Sequence, residues 1–113
     1  MEALRRANVV RRGIARVKGE IAALDQADGF RRVAEMLRAP TDDVGATTID
    51  ALILSIHRMG ITRMGKLFNE ARFPIATRHR RVRELTERQR LLLADTLEYL
   101  AAIADDVAAR RTA

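Results

Sequence analysis

Residues 47–71 of this 113-residue chain read TTIDALILSIHRMGITRMGKLFNEA. Two short runs of apolar side chains with helical spacing lie on either side of Gly60, and two threonines precede the first run. Threonine is favourable at the start of a helix, and glycine is favourable in a turn between helices. The stretch therefore predicts two short helices, the first capped by Thr47 or Thr48 and ending at Gly60, the second beginning directly after Gly60.

Further helices are predicted on both sides of this pair. Residues 3–26 predict a long first helix, because apolar side chains recur there every three or four positions: Val10, Ile14, Val17, Ile21 and Leu24. A shorter second helix, capped by Asp28, is predicted to end before Pro40. Thr86 and Gln89 have the spacing of a capping box at the start of a long last helix that reaches Ala109. The apolar face of that helix consists of Leu93, Leu97, Leu100, Ala104 and Val107.

The predicted fold class is all-α, with about five helices and no sheet. Val, Ile and Thr never alternate with polar residues over the length of a strand. A chain of 113 residues, 48% of them hydrophobic, fits a single domain, residues 1–113, with one modest core. Residues 41–46 predict a polar loop that divides an N-terminal helical pair, residues 1–40, from a second helical part, residues 47–110.

The charge of the chain is concentrated in one segment. Residues 57–90 contain ten Arg or Lys and three Glu, a net charge of +7, whereas the whole chain carries +6. Most of these cations are arginines, whose planar guanidinium groups suit bidentate contacts with phosphate. The distribution therefore predicts a polyanionic partner that binds to this segment.

Two elements within the segment are candidate phosphate sites. The first is the helix that begins after Gly60, because the first amides of a helix lack internal partners and carry the positive end of its dipole. The second is the arginine-rich connector before the last helix, residues 72–83. The candidate binding residues at these two elements are Arg58, Gly60, Thr62, Arg63, Lys66, Arg78, Arg80, Arg81, Arg83 and Arg88.

Catalysis finds little support in the composition. The chain contains no cysteine, and neither of its two histidines, His57 and His79, has a second ligand at metal-binding spacing. We therefore predict no catalytic residues, no metal, no cofactor and no small-molecule substrate. No stretch approaches the roughly 20 apolar residues that a membrane span needs, which predicts a cytoplasmic protein without a membrane partner.

The segment 48–97 resembles the actinobacterial (mycobacterial) integration host factor family, which is built on a helix-two-turn-helix module. Four blocks carry the resemblance: IDAL at 49–52, MGITR at 59–63, RRVREL at 80–85 and RQR at 88–90. Residues 8–39 look more loosely like the N-terminal helices of the family. The part of the connector at residues 73–79 is longer than in the family, and the Ala-rich segment 101–113 has no obvious counterpart there.

This resemblance implies a nucleoid-associated protein that binds double-stranded DNA. Contacts would be made mostly to the backbone and minor groove, with little sequence preference, and the DNA would be bent or stiffened. The turn at Gly60, with Thr62 and Arg63, would lie on phosphates, and residues 80–83 would match the arginine triplet of the family. The last helix, with its Ala-rich extension, is a candidate for self-association.

Two other functions remain open on the sequence. The protein could be an RNA-binding helical protein, because glycine-turn helix pairs also occur in ribosomal proteins. No aromatic side chain for base stacking accompanies the basic segment, which argues against single-stranded nucleic acid. It could also be an adaptor whose Ala-rich last helix docks on a protein partner.

Overall fold

The structure is a computed structural model that describes residues 2–112. In this range the chain is all-helical and has no strand. Six α-helices follow in order: α1 (Glu2–Ala22), α2 (Gln26–Arg38), α3 (Asp42–Ala46), α4 (Ile49–Leu54), α5 (Ile61–Glu70) and α6 (Glu87–Thr112). Two short 3-10 turns, Ile75–Thr77 and Val82–Glu84, lie between α5 and α6.

The core is built on α2 and α6, which pack against each other in antiparallel directions. Arg31, near the start of α2, pairs with Asp105 near the end of α6, and Arg38 at the end of α2 pairs with Asp95 at 2.7 Å. The helices bury an aliphatic seam between them, whose fully buried members include Val33, Leu37, Leu93 and Leu97. Each such side chain contributes about 1.5–3 kcal/mol relative to exposure, so this pair is the platform for the smaller helices.

The turn between α4 and α5 is attached to the start of α2. Ile56 is buried against Gly29, where a Cβ atom would lie only 3.3 Å from the Ile56 Cγ2 atom. The side-chain amide of Gln26 donates a hydrogen bond to the carbonyl of His57 at 3.2 Å. Gly29 therefore lets the turn between α4 and α5 pack closely against α2, and the hydrogen bond from Gln26 fixes the position of that turn.

The prediction that residues 41–46 form a loop is wrong, because they contain α3. The Thr41 hydroxyl caps this helix by accepting a hydrogen bond from the Val44 N–H at 3.3 Å. At the other end, the buried Thr47 hydroxyl donates to the carbonyl of Asp43 at 2.8 Å. Capping at both ends stabilises a helix of only five residues, which is too short to show a periodic apolar pattern.

Several predicted helix ends also differ from the structure. Asp25, not Asp28, caps α2, because its carboxylate accepts the Asp28 N–H at 2.8 Å. The helix predicted to end at Gly60 already ends at Leu54, and residues 55–60 form a turn in which Arg58 has a φ of +62°. The last helix extends past Ala109 to Thr112. Such differences arise where a few hydrogen bonds of the tertiary structure decide the last turn.

The capping box before α6 is confirmed. The Thr86 hydroxyl accepts the Gln89 N–H at 3.1 Å, and the Gln89 side chain accepts the Thr86 N–H at 3.0 Å.

Two predicted apolar core positions are wrong, since Val10 of α1 and Val107 of α6 are 44% and 43% exposed. These ends of the long helices extend beyond the core, consistent with molecular dimensions of 57 × 27 × 24 Å. None of the helices described is long and apolar enough to span a membrane.

Candidate nucleic-acid interface

The arginine connector is held against the start of α4 by backbone hydrogen bonds. The Ile49 N–H donates to the carbonyl of Arg80, and the Asp50 N–H donates to the carbonyl of Arg78, both at 2.9 Å. The first N–H groups of a helix have no partner within that helix, so the connector supplies acceptors for two of them. The backbone of the connector is therefore fixed, and the start of α4 is already occupied.

The second 3-10 turn continues this fixed backbone. Val82 is fully buried and its N–H donates to the carbonyl of Thr47 at 3.0 Å. The Arg81 N–H donates to the Glu84 carboxylate at 3.2 Å. The arginines on either side of Val82, at positions 80, 81 and 83, are all exposed. A buried valine thus anchors a short segment that carries three arginines on the surface.

The second basic element is the start of α5, beside the turn at Gly60. Gly60 is the N-cap residue, in extended backbone, and no side chain caps the helix. A Cβ atom at Gly60 would meet nothing within 4 Å, so the helix end is open to an approaching ligand. Thr62 and Arg63 are exposed in the first turn, and the Arg63 guanidinium lies 3.5 Å from the carbonyl of Arg58. This geometry presents uncapped amides beside cationic side chains.

Helix α4 separates the two basic elements. The connector is bonded to the first residues of α4, whereas the Gly60 turn follows its last residue, Leu54. Since α4 has six residues, it spans about 9 Å at 1.5 Å per residue. The structure therefore places the two basic elements at opposite ends of one short helix.

Ion pairing distinguishes the candidate cations from the arginines of α2. Within residues 2–112, none of the eight basic candidates forms an ion pair: Arg58, Arg63, Lys66, Arg78, Arg80, Arg81, Arg83 and Arg88. Arginines of α2 do form ion pairs, Arg32 with Glu20 at 2.8 Å and Arg38 with Asp95 and Glu98. Their hydrogen bonds to these carboxylates raise the pKa of both guanidinium groups. Those two charges are compensated inside the fold, and the candidate charges are not.

Two arginines at the start of α6 have different environments. Arg88 is exposed, in the first turn after the capping box. Arg90 is half-buried, and its guanidinium donates to the carbonyl of Leu37 at 2.7 Å, near the end of α2. Arg88 is therefore available to a ligand, whereas Arg90 joins two helices.

One polar cluster at the interface was not found from the sequence. One oxygen of the Asp50 carboxylate accepts the Thr48 hydroxyl at 2.6 Å and the Ala51 N–H at 2.8 Å, and the other lies 2.9 Å from His79 Nδ1. The partial burial of Asp50 would raise its pKa, but the hydrogen bonds from Thr48, His79 and Ala51 outweigh it and lower the pKa below its ordinary value. Thr48 occupies the predicted N-cap position of α4, but its hydroxyl donates to this carboxylate and caps no helix N–H. Positions 50 and 79 are too distant in sequence for spacing to reveal the contact.

No group of three or more His, Asp or Glu side chains in residues 2–112 is arranged to hold a metal ion. No protein-family model, no curated protein and no solved structure matches this chain.

Proposed function

We propose that this protein is an architectural, nucleoid-associated protein that binds double-stranded DNA in the manner of the integration host factor family. One observation carries the proposal. Eight basic side chains on α5, α6 and the adjoining turns are free of ion pairs within residues 2–112, whereas Arg31, Arg32 and Arg38 of α2 are paired with carboxylates. Uncompensated cations on the surface are what a phosphate backbone requires.

The fixed backbone of the connector favours this function over a merely solvated basic loop. The segment around Val82 is anchored by the buried Val82 side chain and by backbone hydrogen bonds. The Val82 N–H donates to the Thr47 carbonyl, and the Arg80 carbonyl accepts the N–H of Ile49. Ordering a mobile segment on binding costs free energy, and here most of the backbone cost has been met by folding. Arginines at 80, 81 and 83 lose only side-chain freedom when they contact phosphates.

The second contact in this proposal is the start of α5. Its uncapped amides and the positive end of the helix dipole favour an anion, and Thr62 and Arg63 add a hydroxyl and a guanidinium in the same turn. Such contacts bind the backbone and read no base sequence. Specificity would therefore come from the shape and deformability of the duplex.

Replacing Arg80, Arg81 and Arg83 together by alanine tests the proposal. Each lost phosphate contact lowers the slope of log affinity against log salt by about 0.9, so the variant loses about 2.7 in slope and roughly 500-fold in affinity at about 0.1 M salt. Fluorescence anisotropy with a labelled duplex gives both quantities. Helicity measured by circular dichroism should not change, because all three side chains are exposed.

The matched control is the triple alanine variant of Arg5, Arg11 and Arg12. These arginines are also exposed, and the variant loses the same three charges. We expect its DNA affinity to stay within a few-fold of wild type. Equal losses in both variants would show that total charge and not the connector determines binding, and would contradict the site. Tighter binding to duplex RNA than to duplex DNA of equal length would contradict the proposed ligand.

A further inference from the structure

His79, in the connector, lies between the Asp50 carboxylate and the Arg78 guanidinium. Its Nδ1 atom is 2.9 Å from the Asp50 carboxylate, and its Nε2 atom is 3.2 Å from Nε of Arg78. The side chain of His79 is 68% exposed, whereas that of Asp50 is only 21% exposed. The imidazole therefore connects a partly buried carboxylate to one of the candidate DNA-binding arginines.

The backbone holds this histidine in register with Asp50. The carbonyls of Arg78 and Arg80, on either side of His79, accept hydrogen bonds from the N–H groups of Asp50 and Ile49. The contact between the two side chains therefore belongs to a fixed piece of main chain. Asp50 is itself oriented by the Thr48 hydroxyl and by the N–H of the next residue.

The hydrogen-bond geometry around His79 fits one tautomer of the ring. A guanidinium nitrogen can only donate, so the Nε2 atom that faces Arg78 must accept. The proton of the neutral ring then sits on Nδ1, which donates to the Asp50 carboxylate. Both protein contacts of the ring are hydrogen bonds only in this neutral tautomer.

We propose that His79 controls the DNA contact of Arg78: neutral His79 holds the guanidinium, and protonated His79 releases it to phosphate. This inference rests on the DNA-binding function proposed above. When Nε2 takes up a proton from solvent, it can no longer accept from Arg78, and the imidazolium repels the guanidinium. The imidazolium remains paired with Asp50 through Nδ1. Acidification therefore frees one arginine and adds one positive charge to the interface.

The charged groups around His79 agree with this role. Asp50 on α4 is the carboxylate in contact, and its lowered pKa keeps it ionised in the range between about pH 5 and pH 8 where histidine side chains change charge. On the other elements, Lys18 of α1 lines the groove that Asp50 and Thr48 also line. Arg80 follows His79 directly on the connector. In the sequence, His79 lies directly between two cations of its own segment, Arg78 and Arg80.

The test measures how much Arg78 contributes to DNA affinity at two pH values. Changing Arg78→Gln should weaken binding about eightfold at about pH 5.5 and about 0.1 M salt, the value of one phosphate contact, but less than about twofold at about pH 8. The ratio between variant and wild type cancels every contribution to affinity that does not involve Arg78. In a His79→Ala background, Arg78 is never held, so the same change should cost about eightfold at both pH values.

A second measurement needs no DNA. A long-range proton–nitrogen NMR spectrum of the folded protein at about pH 8 should show His79 protonated at Nδ1. Protonation at Nε2, or an Arg78→Gln cost that is the same at both pH values in the wild-type background, would overturn the inference. If DNA binding still depends on the arginines at 80, 81 and 83, the proposed function survives that result. If the protein binds no duplex DNA at either of the two pH values, both the His79 inference and the proposed function are overturned.

Discussion

Arg88 and Arg90 lie two residues apart at the start of α6, and alanine substitution should separate their roles. The guanidinium of Arg90 donates to the carbonyl of Leu37 at 2.7 Å in a partly buried position. The last carbonyls of a helix have no intrahelical partner, so Arg90 provides a donor for one near the end of α2. Arg88 is exposed and forms no ion pair within residues 2–112.

The expected magnitudes follow from these contacts. A hydrogen bond with a charged donor contributes about 1.5–3 kcal/mol, so Arg90→Ala should destabilise the fold by about 2 kcal/mol. For a domain near this size, that lowers the Tm by roughly 10 °C. Arg88→Ala should change stability by less than about 0.5 kcal/mol. It should instead weaken DNA binding about eightfold at about 0.1 M salt and lower the salt slope by about 0.9.

Thermal unfolding followed by circular dichroism and anisotropy titrations on a labelled duplex distinguish the two variants. DNA binding is measured well below both transitions, so that each variant is folded during the titration. We expect the Arg90 variant to bind within about twofold of wild type, because the Arg90 guanidinium is bonded to α2 and is not offered to phosphate. An unchanged Tm for Arg90→Ala would refute the structural role of Arg90. An unchanged DNA affinity for Arg88→Ala would remove Arg88 from the interface.

Two further predictions concern stability. Gly29→Val should lower the free energy of unfolding by about 1–3 kcal/mol, because even the Cβ atom would lie 3.3 Å from Ile56 Cγ2. Gly19→Ala should raise the free energy of unfolding by up to about 1 kcal/mol, because its Cβ atom would meet nothing within 4 Å. Urea titrations measure both changes. Since the folded-state pKa of Asp50 is lowered, its ionised form stabilises the fold above its ordinary pKa, and this contribution is lost as the pH falls through the lowered value. Asp50→Asn should therefore be less stable than wild type at neutral pH, with a difference that shrinks at about pH 2; a constant difference would show that the charge is not responsible.

The sequence predicted the elements whose signal is local. Apolar residues spaced three and four apart revealed α1, α2 and α5, and the capping residues Thr86 and Gln89 located the start of α6. Helix α3 was missed because five residues contain too little periodicity. The exposure of Val10 was missed for another reason: a periodic stripe shows which face of a helix can be buried, but not where the neighbouring helices end.

The candidate site was predictable in its composition and not in its arrangement. The excess of arginine in residues 57–90 and the glycine turn are visible in the sequence. The hydrogen bonds between the connector and the start of α4 link residues about thirty positions apart, and no local pattern encodes such pairing. For the same reason, the contact between Asp50 and His79 emerged only with the tertiary structure. Self-association through the last helix stays a prediction.

The position of the carboxylates matters more for the proposed function than the net charge of +6. Arginines of α2 are compensated by Glu20, Asp95 and Glu98, so their charge adds little to the field at the surface. Near the connector, Glu84 accepts the backbone N–H of Arg81 and forms no ion pair with an arginine side chain in residues 2–112. Its carboxylate fixes the turn that carries the cluster and makes no direct contact with the guanidinium groups. The same glutamate therefore orders the backbone and leaves the neighbouring guanidinium groups available to phosphate.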